Sequence, residues 1–117
     1  MAKKSSSEPE PLRPVVFAIL VALNDAKLHG YGIMKVVNES MSRRALLGPG
    51  TLYRTLKELR EEGLVDYTRG PSDADPRRRY YAITAHGRAV ARAEAERMAE
   101  WVDVARAGRL LVGRSGR

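Results

Sequence analysis

Gly48-Pro49-Gly50-Thr51-Leu52-Tyr53-Arg54-Thr55-Leu56-Lys57-Glu58-Leu59-Arg60-Glu61-Glu62-Gly63-Leu64-Val65-Asp66-Tyr67, then a polar turn, then Arg77-Arg78-Arg79-Tyr80-Tyr81-Ala82-Ile83-Thr84-Ala85-His86-Gly87 is the stretch that decides the fold. Gly48-Pro49 reads as a cap with proline at the first helical position, where its missing N–H costs nothing. Leu52, Leu56 and Leu59 fall at i, i+4 and i+7, the spacing of one buried helical stripe. Gly63 is a fitting stop, because glycine accepts the left-handed conformation that ends helices. Leu64 to Arg69 alternates apolar and polar residues, and Tyr80 to Thr84 is aromatic and β-branched. Gly70-Pro71-Ser72-Asp73-Ala74-Asp75-Pro76 between them is turn chemistry throughout. The expected unit is a helix followed by a hairpin with a long basic tip, suited to set one helix in a DNA groove with the hairpin beside it.

Working outward, Pro14 to about Lys27 reads as a first helix that leaves almost no polar face, through Val15, Val16, Phe17, Ile19, Leu20, Val21 and Leu23. A helix apolar all round is buried on more than one side, which hints at a subunit partner. His29-Gly30 breaks that pattern. A second helix follows from about Tyr31 to Met41, with Ile33, Val36 and Val37 on one stripe. After the hairpin, Thr84 serves as an N-cap for a last helix from about Ala85 to Arg109. Ala91, Ala95, Met98, Val102 and Ala105 form a heptad-like seam on it, with Trp101 on its shoulder.

The chain has 117 residues, which sets one domain as the expectation and leaves little room for a large enclosed active site. Lys and Arg number 21 against 14 Asp and Glu, a net charge of +7 that favours a polyanionic partner. Much of that surplus lies between Arg43 and Arg88. There is no cysteine, so disulfides and thiolate metal sites are excluded. The longest apolar run, Pro14 to Leu23, is too short to span a bilayer, and no signal peptide is expected at the start. His29 and His86 are the only histidines and form no metal-binding pattern. No phosphate-binding loop, dinucleotide fingerprint or nucleophile elbow occurs. The expectation is a cytoplasmic, nucleoid-associated protein that is not an enzyme and uses no cofactor or metal.

Three groups of residues carry a resemblance: His29-Gly30-Tyr31-Gly32-Ile33; Gly50-Thr51-Leu52-Tyr53 with Leu56, Leu59 and Gly63-Leu64; and Arg79-Tyr80-Tyr81 with Thr84 and Gly87. In this order and spacing they resemble the PadR family of bacterial transcription regulators over about Val15 to Leu111. The resemblance implies a mainly α fold with a small β-hairpin: a winged helix-turn-helix, with N- and C-terminal helices forming a dimer interface. It implies a DNA-binding domain at 13–84 and a C-terminal dimerisation helix at 85–111; the Ser-, Glu- and Pro-rich residues 1–12 read as a disordered tail and 112–117 as a basic tail. It implies a homodimeric repressor of the compact subgroup, which has a single C-terminal dimerisation helix. Many relatives have proline where Arg54 stands and an acidic residue where Gly32 stands; Arg54 bears on which DNA is preferred.

The first turns of the second helix of a helix-turn-helix face base edges, while flanking residues hold phosphates. Thr51, Arg54, Thr55 and Glu58 lie opposite the leucine stripe by the helical period. Arg54 is the leading base contact, since its planar fork can bond guanine O6 and N7 together. Thr51 suits a phosphate or a thymine methyl, Tyr53 a phosphate, and Lys57 a phosphate. Free amides near Gly48 to Gly50 suit a phosphate as well. Arg77, Arg78 and Arg79 sit at the hairpin tip and its return, where phosphate contact needs only loose geometry. Arg43 and Arg44 precede the third helix and could clamp the backbone. Against each contact stands a solvated or paired reading: Lys57 with Glu61, the tip arginines with Asp73 and Asp75, and Tyr53 as partly core.

Double-stranded DNA and a second copy of the chain are therefore the expected partners, with no membrane. A small aromatic effector is a further candidate, held by Trp101, Phe17 and Met98 between subunits; the plainer reading of Trp101 is interface packing. The alternative function is a winged-helix protein-interaction or small-molecule-binding module without a direct DNA role, since fold alone does not settle function.

Overall fold

The computed structural model describes residues 10–40 and 47–112. Seven elements follow in order: α1 (Pro14–Asp25), β1 (Leu28–His29), α2 (Gly30–Ser40), α3 (Pro49–Glu61), β2 (Val65–Thr68), β3 (Tyr80–Ile83) and α4 (Ala85–Ala107). Arg43 and Arg44 lie outside the described residues, as do the basic tail beyond residue 112 and most of the N-terminal tail. Within the tail assigned to residues 1–12, Leu12 is packed against the core.

The hairpin reading acquires a third strand. The sheet runs β1-β3-β2, antiparallel throughout, with Leu28 opposite Tyr81 and His29 opposite Tyr80 on one side of β3. On the other side Val65 faces Ile83, Tyr67 faces Tyr81 and Thr68 faces Tyr80. Two residues are too few to show an alternating pattern, which is why β1 read only as a break between helices. Strand alternation sends Leu28, Val65, Tyr67, Tyr81 and Ile83 to one face, and His29, Thr68 and Tyr80 to the other. Val65, Tyr81 and Ile83 are buried, so the first face is the inner one.

α1 is the hub. It packs on α2, on α4 and on β3. Val16, Ile19, Leu20, Ala22 and Leu23 are buried by these three neighbours. The all-round apolar character of α1 is thus largely satisfied within one chain, and it no longer argues by itself for a subunit partner. α4 differs. Only Gly87 and Glu94 are buried along its length.

Two junctions fix the geometry of α3. At its C-terminus, Gly63 has φ +79. Leu64 N–H reaches the Leu59 carbonyl at 2.9 Å and Gly63 N–H the Arg60 carbonyl at 3.1 Å, a Schellman ending. Thr84 then ties that ending to the next element. Its hydroxyl donates to the Gly63 carbonyl at 2.6 Å and accepts from Gly87 N–H at 2.9 Å, so the expected N-cap of α4 also latches the start of the wing. The α-carbon of Gly87 sits so close to the Leu64 carbonyl that a side chain there would collide with it. At the N-terminus of α3, the Asn38 amide brackets the Leu47 backbone, donating to its carbonyl at 3.0 Å and accepting from its N–H at 2.6 Å. That clip holds the end of α2 against the approach to α3.

Candidate nucleic-acid interface

The buried arc of α3 comprises Leu52, Thr55, Leu56 and Leu59. Thr55 was expected on the outer arc with Thr51, Arg54 and Glu58; it is only 2% exposed. Adding it to the leucines gives i, i+3, i+4, i+7, the full width of a helix packed between α2 and the sheet rather than a narrow seam. Of the outer arc, Thr51 and Arg54 remain exposed and Glu58 is half-buried; Lys57, to one side, is exposed as well.

These residues are held in different ways. The Arg54 guanidinium rests 3.5 Å from the Thr51 hydroxyl, so the two form one patch on the first turns. Among the described residues no carboxylate pairs with Arg54. Lys57 lies 3.8 Å from Glu61, the i,i+4 pair that the sequence allowed. Glu58 accepts a hydrogen bond from Arg13 at 3.1 Å, which ties the start of α1 to the reading helix. Tyr53 is 50% exposed, yet its ring edge and hydroxyl fill the space where a side chain on Gly30 would stand. It is therefore a spacer between α3 and α2 as well as a surface residue. The helix start is bare: Gly48 offers no side-chain cap, and nothing stands within 4 Å of the position a side chain would take at Gly48 or Gly50.

The three wing arginines are exposed and each meets a different partner. Arg77 engages Asp75 through its backbone N–H at 2.9 Å and through its Nε at 3.3 Å. These contacts, the backbone N–H first, hold the Asp75 carboxyl below its ordinary range. Arg78 approaches His29. Arg79 lies over the Tyr67 ring, 4.4 Å from its centroid, and Arg60 lies over the same ring at 3.7 Å. Tyr67 in turn packs against Tyr81 at 5.3 Å. The contacts divide these residues between two sides: Arg79 and Tyr81 lie against Tyr67, and Arg78 and Tyr80 against His29. Arg79 is thus a strut of the wing, stacked on an aromatic and drawn toward the body. In the sequence His29 marks only a break between two helices. Its place in a two-residue strand paired with the wing, which no sequence pattern displays, is what brings it to the interface.

The effector residues are not gathered in one place. Trp101 is 66% exposed and lines an open groove of about 630 Å³ along α4, with Leu12, Val90 and Val104. Glu94, 6% exposed, lies in the same groove and is paired with Arg97. Phe17 lines a separate cleft between α1 and α4, beside Leu20, Arg88 and Ala91. Met98 is exposed and borders neither. Among the described residues no cluster of three or more His, Asp or Glu could hold a metal ion. No helix of the described residues is long and apolar enough to cross a membrane.

A three-helix body with α3 presented beside a basic β-wing defines a winged helix-turn-helix protein. Residues 19–93 match the model of the Transcriptional regulator PadR-like family, and the chain belongs to that family. That family is one of transcription regulators. A 37.1 kDa protein of a Streptomyces fradiae transposon is 37% identical over 81 residues, which cover 69% of this chain. The match spans 22% of that relative's own length. The PadR-like transcriptional regulator of Bacillus cereus superposes with a TM-score of 0.70 at 22% identity, over 86% of this chain and 93% of that one. Bacillus subtilis PadR, in a crystal structure with operator DNA, superposes with a TM-score of 0.58 at 24% identity, over 68% of this chain and 46% of that one. At these identities the two structures speak for the fold.

Proposed function

We propose that this regulator is a homodimeric repressor that sets α3 of each subunit in a major groove and rests each wing on flanking backbone. The observation that carries this reading is the exposed Thr51-Arg54 patch on the first turns of α3, free of carboxylate partners among the described residues and flanked by the basic wing. Arg54 takes the base edge and Thr51 a phosphate or thymine methyl. Tyr53, Lys57, Arg77 and Arg78 take phosphates, with Arg79 bracing the wing. Arg43 and Arg44 would add backbone contacts before α3. The uncapped amides at Gly48 to Gly50 admit a phosphate at the helix start. The DNA-bound state of Bacillus subtilis PadR supports the same partner here.

The second copy follows from α4. Trp101, Val102, Val104 and Met98 leave an apolar surface uncovered on one protomer. Burying it against a second α4 would make 85–111 the dimerisation helix of the compact subgroup, with 13–84 as the DNA-binding unit. The operator is then a near-palindrome with half-sites about one helical turn, ~34–36 Å, apart or a multiple of it. Relief by an aromatic effector would require Trp101 and Phe17, in separate clefts of one protomer, to be joined across that interface. The regulator would act in the cytoplasm, at the nucleoid.

The test is a fluorescence-anisotropy titration with a duplex selected from a random library, beside its scrambled counterpart. Arg54→Ala should cost about 1–3 kcal/mol on the selected duplex and little on the scrambled one. Unchanged binding would remove Arg54 as a reader. Equal, weak binding of the parent protein to both duplexes would overturn sequence recognition.

A further inference from the structure

His29 meets two hydrogen-bond donors. It immediately precedes α2, and its Nδ1 accepts the Gly32 N–H at 3.1 Å, satisfying one of the free amides of that helix. A neutral ring offers one acceptor nitrogen to these two donors; the Gly32 amide is fixed by the helix while the exposed Arg78 guanidinium is free to turn, which assigns the acceptor to Nδ1 and the proton to Nε2. Arg78 Nη1 lies 2.7 Å from that same Nε2. A guanidinium has five N–H donors, no acceptor, and does not deprotonate. Two N–H groups therefore converge, from the body and from the wing, with no acceptor between them. Converging donors beside a full positive charge are what an oxyanion binds.

The ring is held for this purpose. Tyr80 meets it edge-on at 5.2 Å and Tyr31 lies parallel at 6.5 Å. Arg78 is exposed, so its guanidinium can turn aside to admit an oxygen. The titratable or charged groups that face His29 are Arg78 from the wing, Tyr80 from β3 and Tyr31 from α2. Asp75 lies beyond Arg78 and is occupied by Arg77. Among the described residues no carboxylate pairs with His29 or Arg78.

We infer that His29 Nε2–H and the Arg78 guanidinium together bind one backbone phosphate of the DNA, clamping the helix-turn-helix body and the wing to the same strand. This rests on the DNA-binding reading above and adds to it a proton-linked contact. In the free protein, burial first and the Arg78 charge second hold the His29 pKa below its ordinary 6.5. A phosphate in the clamp acts in the opposite direction and raises that pKa, against the Gly32 N–H, whose bond to Nδ1 a second ring proton would displace; affinity therefore rises as pH falls through the raised bound-state pKa.

Long-range 1H–15N NMR of the imidazole, first on the free protein, tests the clamp. The expected neutral tautomer has its proton on Nε2. A proton on Nδ1 would overturn the inference, because Nε2 would then simply accept from Arg78. The selected duplex should raise the His29 pKa, inorganic phosphate should do so only weakly, and chloride at equal ionic strength should not. A response to inorganic phosphate with none to the duplex would overturn the assignment to DNA. Arg78→Ala and His29→Gln should each weaken duplex binding about tenfold. The double variant should lose far less than the product of the two, since they share one phosphate. Additive losses would overturn the shared contact. Arg78→Lys should keep most of the affinity. Thermal melts report whether the His29 variant keeps its fold, and the tautomer measurement needs no variant. If the parent protein failed to prefer the selected duplex, the DNA reading itself would fall, independently of the tautomer.

Discussion

α3 and the wing, the two parts of the proposed DNA interface, are built by different physics. α3 is fixed by packing: four inward residues, a Schellman ending, the Thr84 latch and the Asn38 clip. The wing beyond Thr68 has none of these. It is held by aromatic rings and guanidinium groups: Arg60 and Arg79 over Tyr67, Tyr80 against His29, Arg77 on Asp75. Packing of this kind fixes a helix to within fractions of an ångström, which base-edge recognition demands. Exposed charge contacts are weak and exchangeable, which suits phosphate contacts that need only approximate placement. Under the proposed function, the difference gives sequence discrimination to α3 and salt-dependent grip to the wing.

The strongest way to break this contrast is to loosen the helix from behind. Leu56→Ala removes a side chain that is buried beneath the outer arc. It should cost about 3 kcal/mol of folding stability, read by urea or thermal unfolding. At temperatures where the variant remains folded, preference for the selected duplex should fall more than affinity for the scrambled one. Equal losses on both would mean that α3 does not discriminate.

A smaller effect is expected from the wing. At Gly70 an added side chain would come within 2.5 Å of the Tyr80 ring. Gly70→Ala should push Tyr80 off His29 at a cost of about 1–2 kcal/mol. Because residues 69–79 at the wing tip include no buried residue, the loss should appear as faster hydrogen exchange of the amides where the tip joins β2 and β3, at Thr68 and Tyr80, below the global transition. If exchange instead rose equally across α1 and α3, the wing and the body would be a single cooperative unit and the contrast would fail.

The sequence exposed the packed region far better than the charged one. Leu52, Leu56 and Leu59 announce α3 through period alone, and Gly63 and Thr84 announce its end and the next start. Buried stripes repeat, and caps have a narrow chemistry. Thr55 was misjudged because a threonine carries no sign of burial; only the neighbours on both sides of α3 decide it. β1 went unseen because Leu28-His29 is too short to alternate, and with it went the position of His29 beside Arg78. The roles of Arg77, Arg78 and Arg79 differ although the three residues are identical in type. Strand alternation divides Arg78 from Arg79, but which partner waits on each side depends on the register of β1 and β2 against β3. The uncovered half of α4 had a visible seam, while the division of Trp101 and Phe17 between two clefts is a matter of tertiary placement.

The smallest expected effect sharpens the contrast most cleanly, because it separates grip from fold. Arg77 is exposed and, among the described residues, pairs with Asp75, itself in the wing turn. Arg77→Ala should change folding stability by no more than about 0.5 kcal/mol. If its guanidinium leaves Asp75 for a phosphate, the variant should bind every duplex somewhat more weakly. The slope of log affinity against log salt should fall by about 0.9, the value for one phosphate. Asp75→Asn should act the other way, since it frees Arg77 and removes a repelling charge, strengthening selected and scrambled duplexes alike. The acid side gives an independent check. The Asp75 carboxyl is lowered from its ordinary 3.8, so its pairing contributes stability that is present above that value and is lost as pH falls through the lower folded-state pKa. At neutral pH the Asp75 carboxylate is therefore charged and, under the proposed function, competes with DNA for the Arg77 guanidinium. A variant pair that left the salt slope untouched in both directions would make Asp75 the permanent partner of Arg77 and leave Arg78 to carry the grip of the wing.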